Sequence, residues 1–311
     1  MNLFSLKIKG WSAIYAAHSF FASNSNKKLK PLLISGTTRG GTTWLMEMLY
    51  QQNIQVIWEP TKYETLSLYN NEFTEALGAI PYLPESAVWE DAYIYFQKLL
   101  KGNVPQRISK DAHPLLLSNP FYKNRAIIKC CNITPLIPWI CKNFDVQPIV
   151  LVRNPMSVIA SQLNHKGYQD IGTKINLFTL NNSKYNDLFE KYERPISTIN
   201  SKVSMLANWW AIQHVEVLNK NISADKNKWI LLSYKELVLN TSAELQKLFT
   251  IYGIEKTIID NEYNSPSATA VNQFKHSEEY LTHWKKSLKL NEIKEIELVL
   301  EAYGLEQYIE F

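Results

Sequence analysis

The chain has 311 residues, 46% of them hydrophobic and 20% charged, with a formal net charge of +4. That balance supports a sizeable buried core and argues against a disordered chain. The slight basicity suits an anionic ligand, but no dense Lys/Arg stripe is present to hold nucleic acid.

Residues 1–30 are expected to form an N-terminal helical segment. Its apolar stretch, GWSAIYAAHSFFAS (10–23), is interrupted by His18 and Ser19 and has no convincing cleavage site. Packing against the domain is the simpler expectation, and weak peripheral contact with a membrane surface is the alternative. No apolar run reaches the length of a membrane span. After the polar SNSNKKLKP, the run LLIS (32–35) predicts a buried strand, and TTWLMEMLYQQ predicts a helix burying Trp44, Leu45, Met48 and Leu49. NIQVIWEP (53–60) predicts a second strand stopped by a proline.

Residues 61–124 fit the rhythm poorly and are expected to be a mostly helical insertion near an acceptor site. RAIIKCC (125–131) is a third strand, PWICKNF (138–144) a helix, QPIVLVRNP (147–155) a fourth strand and MSVIASQL the next helix. A long helix follows around Trp209 and Trp210. KWILLSYKEL (228–237) is a fifth strand leading to a helix over 241–253, and NEIKEIELVLEAYGL is again helical. Alternating apolar strands and helices predict an α/β fold over residues 31–311, a central parallel sheet flanked by helices. The cysteines Cys130, Cys131 and Cys141 make neither a disulfide framework nor a CxxC zinc site, so reduced thiols in a cytoplasmic protein are expected. No metal-ligand cluster is visible.

Two motifs carry chemistry. GTTRGGTT (36–43) lies between a strand and a helix with the glycine spacing of a P-loop. Such a turn points backbone N–H groups at an anion, and the following helix adds its positive end. A nucleoside triphosphatase has lysine where this chain has Thr42; the cation here is Arg39, inside the turn. The second motif is VLVRNPMSVIAS (150–161), where Arg153 ends a strand and Ser161 stands eight residues later on a helix. Arginine in that place suits a forked contact with phosphate.

Together the motifs resemble those of sulfotransferases that use PAPS (3′-phosphoadenosine 5′-phosphosulfate). Arg39 takes the basic position of the family's 5′-phosphosulfate loop, and Gly41, Thr42, Thr43 and Trp44 match it. Gly40 stands for the usual serine and Thr38 for a common proline. The resemblance implies a P-loop-type nucleotide-binding fold, 5′ contacts from Gly36 and Thr38 to Trp44, and 3′-phosphate contacts from Arg153 and Ser161. It implies adenine contacts from Tyr234 and Trp44, and closure by Lys275, His276 and Ser277. Lys129, 24 residues before Arg153, matches the family's catalytic lysine.

The cytosolic branch places a histidine base two residues further on. Here that position is Cys131, a poor base at neutral pH. Glu59, at the end of the second strand, is similar to the glutamate base of carbohydrate and tyrosyl-protein sulfotransferases, and His113 is the runner-up. The expectation is metal-independent transfer from PAPS to a hydroxyl, with a saccharide favoured as acceptor. Arg39 and Lys129 stabilise charge on the leaving group. A magnesium-dependent P-loop small-molecule kinase and a non-catalytic PAPS/PAP-binding protein are the competing readings.

Overall fold

The structure, a computed structural model, describes residues 29–52, 54–62, 75, 77–102, 104, 125–178, 185–222, 228–255 and 279–310. The expected N-terminal helix up to residue 28 lies outside them, as does much of the 61–124 insertion.

Five strands form one sheet: β1 (Leu32–Gly36), β2 (Gln55–Trp58), β3 (Ala126–Cys131), β4 (Ile149–Val152) and β5 (Ile230–Ser233). Their order is β2-β3-β1-β4-β5 and every pairing is parallel. The five expected strands are all present, but the fifth, expected over 228–237, ends at Ser233, and residues 234–239 are helical. A parallel sheet is covered on both faces, so its strands read as unbroken apolar runs, and all of β1 and β4 is buried.

The principal helices are α1 (Thr42–Tyr50), α2 (Glu90–Leu100), α3 (Ile137–Asn143), α4 (Pro155–Leu163), α5 (Lys202–Ile222), α6 (Tyr234–Leu239), α7 (Thr241–Tyr252) and α8 (Leu290–Tyr303). Strand side chains alternate between two cores. Leu32, Ile34, Ile127 and Leu151 enter the layer filled by α1, α6 and α7. Leu33, Ile128, Val150 and Val152 enter the layer filled by α2, α3, α4, α5 and α8. Each fully buried aliphatic side chain contributes about 1.5–3 kcal/mol by leaving water.

Local signals explain the helix ends nearest the sheet rim. α4 opens with Pro155, and the Asn154 side chain accepts a hydrogen bond from the Ser157 N–H at 3.1 Å, a capped start suited to proline. In the described part of residues 61–124, α2 is a regular helix and residues 78–89 are non-helical. α2 buries Ala92, Tyr95, Phe96 and Leu99, the i, i+3, i+4, i+7 stripe of an amphipathic helix. The stripe joins the main core, with the Phe96 ring edge-on to Trp139.

The chain leaves β1 for β2 at one edge, returns to β3, and then crosses β1 to reach β4. This reversal opens a crevice at the carboxyl ends of β1 and β4, where α/β sheets bind ligands.

Candidate active site

The turn after β1 is tightly built. A Cβ added at Gly36 would stand 2.6 Å from the Leu151 carbonyl oxygen of β4. Gly40 donates its N–H to the Thr37 carbonyl at 2.9 Å, and Arg39 has a left-handed φ of 73°. Gly41 has φ 96°, and a Cβ there would come within 2.5 Å of the Tyr234 ring, so only glycine fits both the backbone and the space. Thr42, Thr43 and Trp44 then form the first turn of α1, whose first N–H groups have no carbonyl within the helix and attract an anion.

The second motif meets the first. Arg39 Nε donates to Ser161 Oγ at 3.0 Å, and Arg153 Nη1 donates to the Arg39 carbonyl at 3.2 Å. The sequence suggested two separate anion nests, with Arg39 serving the turn. Here its side chain crosses to Ser161 on α4. The Arg153 guanidinium lies 4.4 Å from the Tyr234 ring centroid, and Tyr234 is edge-on to Trp44 at 5.9 Å. Arg153 Nη2 donates to the Tyr280 carbonyl at 3.0 Å, while Arg153 Nε and Ser157 Oγ are buried with no hydrogen-bond partner among the described residues.

Burial, and next the charge of Arg153, push the Arg39 guanidinium below its ordinary pKa. Two cations held this close gain from an anion placed between them. Unpartnered buried donors beside paired arginines and glycine-lined backbone fit a polyanionic nucleotide.

The third constellation sits at the ends of β2 and β3. Lys129 and Cys131 share the parity of Ile127, so both face the α1 side. Lys129 Nζ is ion-paired and hydrogen-bonded to Glu59 Oε1, and it donates to Cys131 Sγ at 3.1 Å. It also lies 4.2 Å from the Trp58 ring centroid. Glu59 Oε2 accepts the Cys131 backbone N–H at 2.9 Å, and Cys131 Sγ touches Thr42 Oγ1 at 3.4 Å. One sulfur atom therefore separates the ammonium from the hydroxyl of the anion turn.

Both ions are 3% exposed. Burial would raise the Glu59 pKa, but the charges of Lys129 and Lys62 and the hydrogen bonds from Lys129 and Cys131 outweigh it and hold the carboxyl below its usual range. Burial would lower the Lys129 pKa, and Cys131 and Glu59 outweigh it upward. Burial and Glu59 raise the Cys131 thiol above its ordinary value, which keeps it protonated at neutral pH and unsuited to act as a base.

Several supporting residues were not singled out from the sequence. Asn132, with φ 65°, donates its N–H to the Gly36 carbonyl at 3.0 Å. Gln162 Nε2 donates to the Thr38 carbonyl at 3.0 Å, and Tyr168 hydrogen-bonds Thr38 and Gln162. Tyr95 of α2 donates to the Pro60 carbonyl at 2.6 Å, pinning the turn that carries Glu59. Of these, only Gln162 has a legible cue, as the residue after Ser161. His113, Lys275, His276 and Ser277 lie outside the described residues.

The sulfotransferase domain profile matches residues 29–295. The chain belongs to the sulfotransferase family, enzymes that transfer sulfuryl groups. No curated protein sequence matches it. Among solved structures, a mouse sulfotransferase complexed with PAP aligns over 96% of this chain and 92% of its own, at 11% identity and a TM-score of 0.42. The sulfotransferase domain from the curacin biosynthetic pathway aligns over 88% of this chain and 98% of its own, at 14% identity and a TM-score of 0.40. The sulfotransferase domain of the Synechococcus PCC 7002 olefin synthase aligns over 88% and 96%, at 15% identity and a TM-score of 0.37. Among the described residues no helix is long and apolar enough to cross a membrane.

Proposed function

We propose that this sulfotransferase moves the sulfuryl group of PAPS to a carbohydrate hydroxyl, with Glu59 as the base. The observation that carries the reading is the buried Glu59–Lys129 pair, one sulfur atom from Thr42 at the head of the anion turn. Gly36, Thr38, Arg39, Gly40, Gly41, Thr42, Thr43 and Trp44 hold the 5′ end of the donor. Arg153 and Ser161, joined by Arg39, hold the 3′-phosphate. Tyr234 and Trp44 flank the adenine, and Lys275, His276 and Ser277 close over the nucleotide.

The donor supplies an electrophilic sulfur and a phosphate leaving group. Glu59 takes the proton of the acceptor hydroxyl as its oxygen bonds to sulfur. The bond from sulfur to the 5′-phosphate oxygen breaks, leaving PAP and a sulfate monoester. Lys129 and Arg39 stabilise negative charge on the departing oxygen and call for no metal. His113 is the alternative base. A carbohydrate is favoured over a phenol because Cys131 replaces histidine and a glutamate follows β2. The protein is proposed to act in the cytoplasm, consistent with three unpaired cysteines.

The kinase reading loses support from Thr42, which touches Cys131 where a triphosphatase lysine would reach phosphate. The test is an acceptor screen with labelled PAPS and mass spectrometry of the product. A sulfated saccharide made by the wild type and not by Glu59→Gln is expected. Full turnover by Glu59→Gln would remove the base assignment.

A further inference from the structure

Both oxygens of Glu59 are engaged, one by the Lys129 ammonium and one by the Cys131 N–H. A base in that state has both oxygens held by protein donors and is weakened by its cation. Lys129 is committed as well. Its ammonium touches Glu59, Cys131 Sγ and the Trp58 ring face, not the anion turn. In this arrangement neither residue can do the work assigned to it. The other hydrogen-bond neighbour of Lys129 among the described residues, the Cys131 sulfur, is also the atom that touches Thr42. Lysine is a point charge on a flexible four-carbon stem, so a short swing past that sulfur is open to it.

We propose that the Lys129–Glu59 ion pair is a donor-operated latch: the 5′ end of the bound nucleotide draws the ammonium off Glu59 toward Thr42, and only then is Glu59 free to take the acceptor's proton. The inference rests on reading Glu59 as the base. It adds an obligatory order, donor before acceptor, and makes base strength depend on nucleotide occupancy. Separating the pair strands a buried carboxylate, a cost that uptake of the acceptor's proton relieves and the nucleotide offsets. The nucleotide offers the ammonium a more highly charged partner than one carboxylate. Glu59 left behind keeps its burial, the largest influence on it and one that raises its pKa, together with weaker support from Lys62 on the turn after β2. The other titratable groups facing it, Cys130 and Cys131 on β3, have thiol pKa values raised mainly by burial and stay neutral. Losing Lys129 therefore strengthens Glu59 as a base.

The test is isotope-edited infrared titration of the Glu59 carboxylate in the full-length protein, with and without saturating PAP and without magnesium. Glu59→Gln assigns the band, and Glu59→Asp assigns it by its frequency change should the first variant fail to fold. PAP is expected to raise the Glu59 midpoint by at least about one pH unit, a tenfold change in proton affinity. Coincident midpoints with and without PAP would overturn the latch. The outcome separates from the base assignment: a PAP-dependent shift with full turnover in Glu59→Gln keeps the latch and removes the base. No shift with a dead Glu59→Gln does the reverse.

Discussion

A lysine with 3% of its side chain exposed keeps its charge only because an opposite charge is buried with it. Removing one partner of such a pair strands the other, which costs about 3–5 kcal/mol, whereas replacing both is close to neutral. Lys129→Met is therefore expected to lower stability by that amount in urea denaturation at pH 7. The Glu59→Gln, Lys129→Met double variant should recover most of it, and both should lose sulfuryl transfer. The pair also sets a pH window. Glu59 has a lowered folded pKa, so its contribution is full above the unfolded value near about 4.3 and is lost as pH falls through the folded value. Lys129 has a raised folded pKa, so its contribution is full below about 10.4 and is lost as pH rises through the folded value. Urea midpoints of the wild type and the double variant should thus respond differently to acid, with the wild type losing more stability as the pH falls below about 4. At this scale the sequence was partly legible. Lys129 and Cys131 stood two apart on a strand, which places them on one face, and Glu59 stood at a strand end. Their mutual pairing was not legible, because it depends on β2 lying beside β3, a fact of topology. Nor was the reach of Arg39 to Ser161, which depends on α4 standing beside the turn.

Among the elements, the β1–α1 turn is the most exacting. Gly41 combines a left-handed backbone with a face pressed on Tyr234. Gly41→Ala is expected to cost about 1–3 kcal/mol in stability and to abolish nucleotide protection, with far-ultraviolet circular dichroism unchanged at low temperature. Ser161→Ala removes the acceptor of the Arg39 Nε hydrogen bond without adding bulk. It should weaken PAP binding measured by calorimetry about tenfold, on the scale of a charge-assisted hydrogen bond. The strands were readable because central parallel strands are apolar on both faces and leave unbroken runs of β-formers. The insertion was harder to read. Its stretch 78–89 carries buried Ile80, Tyr82 and Leu83 without helical spacing, so those apolar residues announce no regular element. Within the described part of the insertion, α2 has the periodicity that a helix advertises.

For the molecule as a whole, the order β2-β3-β1-β4-β5 gathers the exits of β1, β2, β3 and β4 around one crevice. A ligand bridging the β1 turn and the β4 exit couples the two halves of the sheet. PAP is expected to raise the melting temperature without magnesium, while ATP, lacking a 3′-phosphate, leaves it unchanged. A concentration of 100 times Kd corresponds to about 2.7 kcal/mol.

The non-glycine residues with positive φ among those described are Arg39, Glu59 and Asn132, all within three residues of the ends of β1, β2 and β3. Glycine or asparagine would relax the backbone at the first two positions, yet each would erase the side chain that the twist aims. Selection for heat tolerance and selection for turnover therefore pull opposite ways along this rim. A hardened descendant of this enzyme should gain its robustness in the helical layers and leave the Arg39 and Glu59 corners uncomfortable.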